Sequence, residues 1–294
     1  MNSDGSIDSA DALDVLRASV GLLDLSGTIK EEIHTLTLPY DGTSERTVRV
    51  YVPEHKEGET FPVIYMTDGQ NVFESERSRP NCWNACAAVK EERESSGKAA
   101  IIVGINSADS DMGRMLELMP AEMGKVDLSE EVPAEELDKC VPMGEKFAEF
   151  VVNTVVPEVE SNFPVKTGRE NTAFCGSSSG GLETFYMGMA YPDVFSMAGA
   201  FSPVYLMYDK DDLEAWIRTK AAQEDPAYMY MYVGGSDELE KTLAVDFERV
   251  CGVMEDCYPE SLLKKVVVPE NRHHESSWRP IFKDFMHIFL ENAD

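Results

Sequence analysis

The sequence predicts an α/β fold with a mostly parallel central sheet and helices on both faces. Two observations predict it. Seven stretches, "TVRVYV", "FPVIYMT", "AAIIVGI", "NTAFCG", "FSMAGAF", "YMYMYV" and "LLKKVVV", are near-continuous apolar runs, as strands covered on both sides must be. Between them, residues around 143–161, 179–190, 210–222, 238–254 and 277–291 carry apolar side chains at helical spacing, and strands alternating with helices imply parallel crossovers. With 294 residues, 43% of them hydrophobic, the chain can build one sizeable α/β domain with a short appendage.

The appendage comes first. In "NSDGSIDSAD" oxygen-bearing residues alternate around a glycine, as in the later part of a calcium loop. Asn2, Asp4 and Asp11 then take ligand positions and Gly5 the sharp turn. The next stretch, "ALDVLRASVGLL", is amphipathic at helical spacing. Residues 1–26 resemble one of the two duplicated segments of a dockerin, the module that anchors cellulosomal enzymes to cohesins. The first loop ligand would precede Met1, so the calcium loop is incomplete. The resemblance implies a cohesin partner, a chain that starts inside a longer precursor, and an extracellular location. No basic and apolar leader is visible. The expected domains are therefore 1–26 and an α/β domain over 27–294.

The alternating strand and helix pattern breaks down between Ser110 and Pro142. "DMGRMLELMPAEMGKVDLSEEVPAEELDKC" is rich in Met and acid, with nine acidic residues against three basic. A stretch of this kind reads as an irregular lid or binding loop. The whole chain is acidic as well: 54 Asp and Glu against 26 Lys and Arg give a net charge of −28. Such a surface repels nucleic acid and anionic membranes and excludes them as partners. No run of eighteen apolar residues occurs, so no membrane-spanning helix is predicted. Six cysteines are too few for a disulfide scaffold.

The chemistry starts at "FCGSSSGG", Phe174 to Gly181. A strand running into G-x-S-x-G and then a helix is the setting of a nucleophile elbow. Of the three serines only Ser178 has glycines at both −2 and +2, Gly176 and Gly180. The backbone N–H of Ser179, opening the next helix, is one expected oxyanion donor. In this architecture an acid and then a histidine follow the nucleophile. His273 and His274 follow the strand "LLKKVVV" on a polar loop, and spacing does not choose between them. His287 falls within the terminal helical stretch and reads as structural. Asp237, in "GGSDELE" just beyond "YMYMYV", is the expected acid, with Glu238 and Glu240 as near competitors. The second oxyanion donor is expected from Gln70 N–H, after Asp68-Gly69.

These segments together resemble the putative-esterase family of α/β-hydrolases, which includes esterase D, feruloyl esterases, enterochelin esterases and mycolyltransferases. The resemblance runs from about Thr28 to the C-terminus. It is carried by "FPVIYMTDGQNVFE", Trp83, "IIVGIN", "RMLELMP", "CGSSSGGLETFYMGMAYPDVFSMAGAFSPVY" and "HHESSWR". It implies an α/β-hydrolase fold and a serine carboxylic ester hydrolase working through an acyl-enzyme, with no cofactor for catalysis. The family's histidine lies five residues before a tryptophan. Counting back from Trp278 selects His273, and the acid maps to Asp237. Gly69, Trp83 and Trp278 are expected to touch substrate. With the dockerin-like segment, the expected substrates are plant cell-wall esters, feruloyl or acetyl groups on xylan. The alternatives are a siderophore-ester or thioester hydrolase, an acyltransferase, and a non-catalytic cellulosomal binding module.

Overall fold

The structure is a computed structural model that describes residues 9–19, 27–73, 82–129 and 132–293. Its centre is an eight-stranded sheet: β1 Glu32–Pro39, β2 Glu45–Val52, β3 Val63–Met66, β4 Ile101–Ile105, β5 Thr172–Ser177, β6 Met197–Phe201, β7 Tyr228–Val233 and β8 Leu263–Val267. The spatial order is β8-β7-β6-β5-β3-β4-β2-β1. From β8 to β4 every pairing is parallel, whereas β1–β2 and β2–β4 are antiparallel. Every residue of β3, β4, β5 and β6 is buried, as central strands covered on both faces require.

The strand β1 is the one long strand absent from the sequence reading. It sits at the edge with alternating exposure, and the exposed Thr35 and Thr37, with Glu32 and His34, break the apolar run that marks the inner strands. The helices are α1 Ser9–Ser19, α2 Ala85–Ser96, α3 Asp111–Glu117, α4 Gly144–Phe150, α5 Val156–Asn162, α6 Ser179–Ala190, α7 Lys210–Ala221, α8 Glu238–Cys257 and α9 Glu275–Asn292. A π turn at Val151–Val155 joins α4 to α5, so 144–162 forms one helical stretch, as the periodicity around 143–161 predicts. Helix α1 lies in the dockerin-like stretch, with Val15 and Leu16 exposed.

The segment after Ser110 is more ordered than its composition suggests. Ser110 caps α3 by accepting from Gly113 N–H at 3.1 Å. Leu116, Leu118, Met119, Met123, Leu128 and Val132 are buried in the main core. Its return is tied to the loop after β6, with Asp127 N–H donating to Met207 O and Asp209 N–H to Lys125 O, both at 2.8 Å. The methionines fill core volume, which an unbranched thioether does well.

Helix α6 packs deepest: eleven of its twelve residues are buried. Among them is Glu183, fully buried, with neither carboxyl oxygen hydrogen-bonded among the described residues. Burial, with smaller contributions from the charges of Glu145 and Glu117, pushes the Glu183 carboxyl well above its ordinary range.

Candidate active site

β5 ends at Ser177 and α6 begins at Ser179, leaving Ser178 at the bend with φ 61° and ψ −126°. A non-glycine residue holds that conformation only when its surroundings enforce it. Ser178 N–H donates to Phe201 O at 2.9 Å, and Leu182 N–H to Ser178 O at 3.0 Å. A Cβ at Gly176 or Gly180 would collide with Thr67 Oγ1, and one at Gly181 with the Phe201 carbonyl. The flanking glycines thus let three pieces of backbone converge behind one serine. Within residues 171–181 only Ser178 is not fully buried.

The parallel register of β3 and β5, Met66 beside Cys175, carries Asp68, Gly69 and Gln70 up against this bend. Gly69–Asn71 form one 3₁₀ turn, entered through Asp68 at φ 54°. The N–H groups at the start of such a turn have no acceptor within it, and Gln70 sits there. Ser179, first in α6, is in the same position at the other side. Gly69 packs on the backbone of Gly104, where a Cβ would stand 2.5 Å from the carbonyl oxygen. The glycine is required by this close approach of two backbones.

The loop is held by its side chains. Asp68 Oδ1 accepts from Ser107 Oγ at 2.8 Å, and Gln70 Nε2 donates to Ser107 Oγ at 2.9 Å. Arg114, from α3, binds Asp68 through both oxygens, Nε to Oδ1 at 2.5 Å and Nη2 to Oδ2 at 2.7 Å. Three residues further on, Glu117 accepts from Ala108 N–H at 2.7 Å and pairs with Arg46. The "RMLELMP" stretch is therefore an anchor for the loop rather than part of a loose lid.

The two neighbouring histidines do different work. His274 caps α9, its Nδ1 accepting from Ser276 N–H at 3.1 Å. His273 is partly buried, and its Nδ1 lies 2.9 Å from Glu240 Oε1. Glu240 is fully buried; its Oε1 also accepts from Ser202 Oγ at 2.7 Å and its Oε2 from Gly234 N–H at 2.9 Å.

The expectation that Asp237 takes the imidazole N–H is corrected here. Asp237 caps α8, with Oδ1 accepting from Glu240 N–H at 2.9 Å and Oδ2 from the backbone N–H of His273 at 2.8 Å. Burial works to raise the Asp237 carboxyl, but these backbone donors and the nearby His273 together hold it below its usual range. The physical reason is reach. Asp-x-x-Glu is the spacing of a capping box, so the aspartate is consumed at the helix start while the longer glutamate turns back over it toward the strand ends. That spacing was the available signal.

Trp83 and Trp278, expected to touch substrate, are instead core residues at 2% and 5% exposure. Their rings stack at 5.7 Å with 26° between planes. Trp278 meets the His273 ring edge-on at 5.0 Å and donates Nε1–H to Ser202 Oγ at 3.2 Å. Ser202, buried with φ 46° at the end of β6, was not anticipated from the sequence. It links Trp278 to Glu240 and so fixes the imidazole from two sides. Among the described residues no group of three or more His, Cys, Asp or Glu could hold a metal ion. Asn2 and Asp4 of the expected calcium loop lie outside the described residues, as does the side chain of Asp11.

This architecture, with a strained serine after a parallel strand and a histidine returning beside a buried carboxylate, is that of an α/β-hydrolase. Residues 43–284 match the family model described as "Putative esterase", and the chain belongs to that family; it is a carboxylic ester hydrolase. Among solved structures it is similar to a ferulic acid esterase of Anaeromyces mucronatus, with TM-score 0.62, 19% identity, and coverage of 92% of this chain and 94% of that one. It is also similar to the siderophore hydrolase EstB of Aspergillus nidulans, with TM-score 0.64, 17% identity and coverage of 92% and 97%. The enterobactin esterase of Shigella flexneri aligns with TM-score 0.65, 15% identity and coverage of 88% and 59%. At these identities the likeness is one of fold.

Proposed function

We propose that the protein hydrolyses esters through a covalent acyl-enzyme on Ser178, with His273 as the base and Glu240 as the acid that orients it. The observation that carries this reading is the contact of His273 Nδ1 with fully buried Glu240, which also holds Ser202 at the end of β6, the strand paired with the one that runs into the strained bend at Ser178. Glu240 accepts a hydrogen bond from Nδ1–H, which fixes the tautomer that leaves Nε2 as the free base. Ser178 Oγ attacks the ester carbonyl carbon as its proton passes to Nε2. The carbonyl oxygen becomes an oxyanion that accepts from the N–H groups of Gln70 and Ser179. Collapse breaks the C–O bond to the alcohol, which leaves with the proton from His273. Water then repeats the sequence on the acyl-serine and releases the acid. These steps draw on protein groups and water alone.

The substrates we propose are plant cell-wall esters, feruloyl or acetyl groups on xylan. Support comes from the ferulic acid esterases among the structural neighbours and from the dockerin-like residues 1–26. A second reading, a siderophore ester, is favoured by the neighbours that act on siderophores. A panel of methyl ferulate, acetylated xylan and a siderophore lactone separates the two by kcat/KM. Ser178→Ala should abolish both turnover and labelling by a fluorophosphonate probe. Turnover that survives this change moves the nucleophile elsewhere.

A further inference from the structure

We infer that Arg114 is a positioning residue for the oxyanion hole, and that it works by cancelling the charge of Asp68 beside the point where negative charge develops. The inference rests on the acyl-enzyme reading above. Asp68 immediately precedes the Gly69–Asn71 turn that presents Gln70 N–H, and its side chain is 6% exposed. Its Oδ2 lies 3.0 Å from where a Cβ on Gly180 would stand, so the carboxylate sits between the loop of one expected oxyanion donor and the helix start that carries the other.

A buried carboxylate in that place opposes the reaction twice. It repels the oxyanion of the tetrahedral intermediate in a site with little water to screen it. It also has no fixed position unless something holds it. Arg114 answers both, because its planar guanidinium grips Asp68 in a bidentate pair and leaves that carboxylate electrostatically neutralised. The same Nη2 reaches Ser177 O at 3.4 Å, so one side chain ties the oxyanion loop to the nucleophile bend. The helix that supplies it is itself pinned, by Ser110 at its start and by Glu117 with Arg46 at its end. Asp68 is retained because it has other work: Oδ1 accepts from Ser107 Oγ and Gln70 Nε2, which shapes the turn. An asparagine keeps that acceptor and removes only the charge.

Because the opposition arises only when the oxyanion forms, removing Arg114 lowers kcat and leaves KM nearly unchanged. Arg114→Ala should reduce kcat for a p-nitrophenyl ester about 10²-fold, the scale of a lost oxyanion donor. Affinity for a boronic acid that forms a tetrahedral serine adduct should fall in parallel. Arg114→Lys, which keeps the charge, should stay within about tenfold of wild type, and Asp68→Asn placed in the Arg114→Ala background should recover about tenfold. The proposal is overturned if Arg114→Ala keeps wild-type kcat. It is also overturned if kcat and the labelled fraction fall together with the thermal midpoint, or if Asp68→Asn recovers nothing. Should Arg114→Ala fail to fold, Arg114→Lys decides alone, and a 10²-fold loss in a folded lysine variant sinks charge cancellation. Wild-type enzyme that neither turns over esters nor labels at Ser178 defeats the acyl-enzyme reading instead, a separate result.

Discussion

Glu240 and Glu183 are both fully buried glutamates, each on a helix that follows a parallel strand of the same sheet. Their surroundings differ completely. Glu240 has Ser202 Oγ, Gly234 N–H and His273 Nδ1 around its two oxygens. Both Glu183 oxygens lack a hydrogen-bonding partner among the described residues, and burial drives this carboxyl well upward. Burial of a carboxyl is therefore no sign of a catalytic role. What marks Glu240 is a set of donors converging on a carboxylate that in turn faces an imidazole, since a buried charge is tolerable only when its hydrogen bonds are supplied.

The comparison breaks most sharply at Glu240 itself. Glu240→Gln should lower kcat/KM by about 10⁴-fold, the scale seen when a triad acid is neutralised, with methyl ester turnover as the measurement. Asp237→Ala should keep kcat/KM within about tenfold and lower stability by about 1 kcal/mol, the usual cost of a lost helix cap. Equal losses at both positions would return the acid role to Asp237. Ser202→Ala should reduce kcat about tenfold, as the loss of one hydrogen bond to the carboxylate and one from Trp278 implies.

The smallest effect belongs to Glu183 and concerns stability alone. Burial holds its folded carboxyl well above the ordinary carboxylate range, so the protein carries its full stability below that ordinary range and loses part of it as the pH rises toward the folded value. Glu183→Gln should be more stable than wild type at pH 8 by about 1–3 kcal/mol. The gap should close toward pH 5 and activity should be unaffected, as paired thermal melts and ester assays at both pH values would show. A gap that widens on acidification would mean Glu183 is charged and paired in the folded protein.

The elbow was legible because its requirements are local. Only a serine with glycines two residues away on both sides fits a bend where a Cβ at Gly176 or Gly180 meets Thr67. The parallel strands were legible for the same reason, being continuous apolar runs. The edge strand β1 and the charged helix α2 escaped because half of each faces water. The carboxylate that meets the His273 ring was not legible, because whether Asp237 or Glu240 reaches it depends on where the loop 268–273 lands. That landing is set by Asn271 O, which accepts from Gly235 and Ser236 N–H at 3.0 and 2.9 Å.

By itself the sequence determined the order of strands β2 to β8 and of the helices from α4 to α9, the identity of the strained serine, and the pair of histidines on the loop before the last helix. Those follow from side-chain periodicity and from steric demands that act within a few residues. Only the tertiary structure decided that Glu240 faces His273, that Trp83 and Trp278 buttress the site from within the core, and that Arg114 grips Asp68. Each of these is a meeting between segments distant in sequence, 33 residues apart for Glu240 and His273 and 46 for Arg114 and Asp68. Such meetings are fixed by how the sheet and its loops pack, which no local pattern encodes.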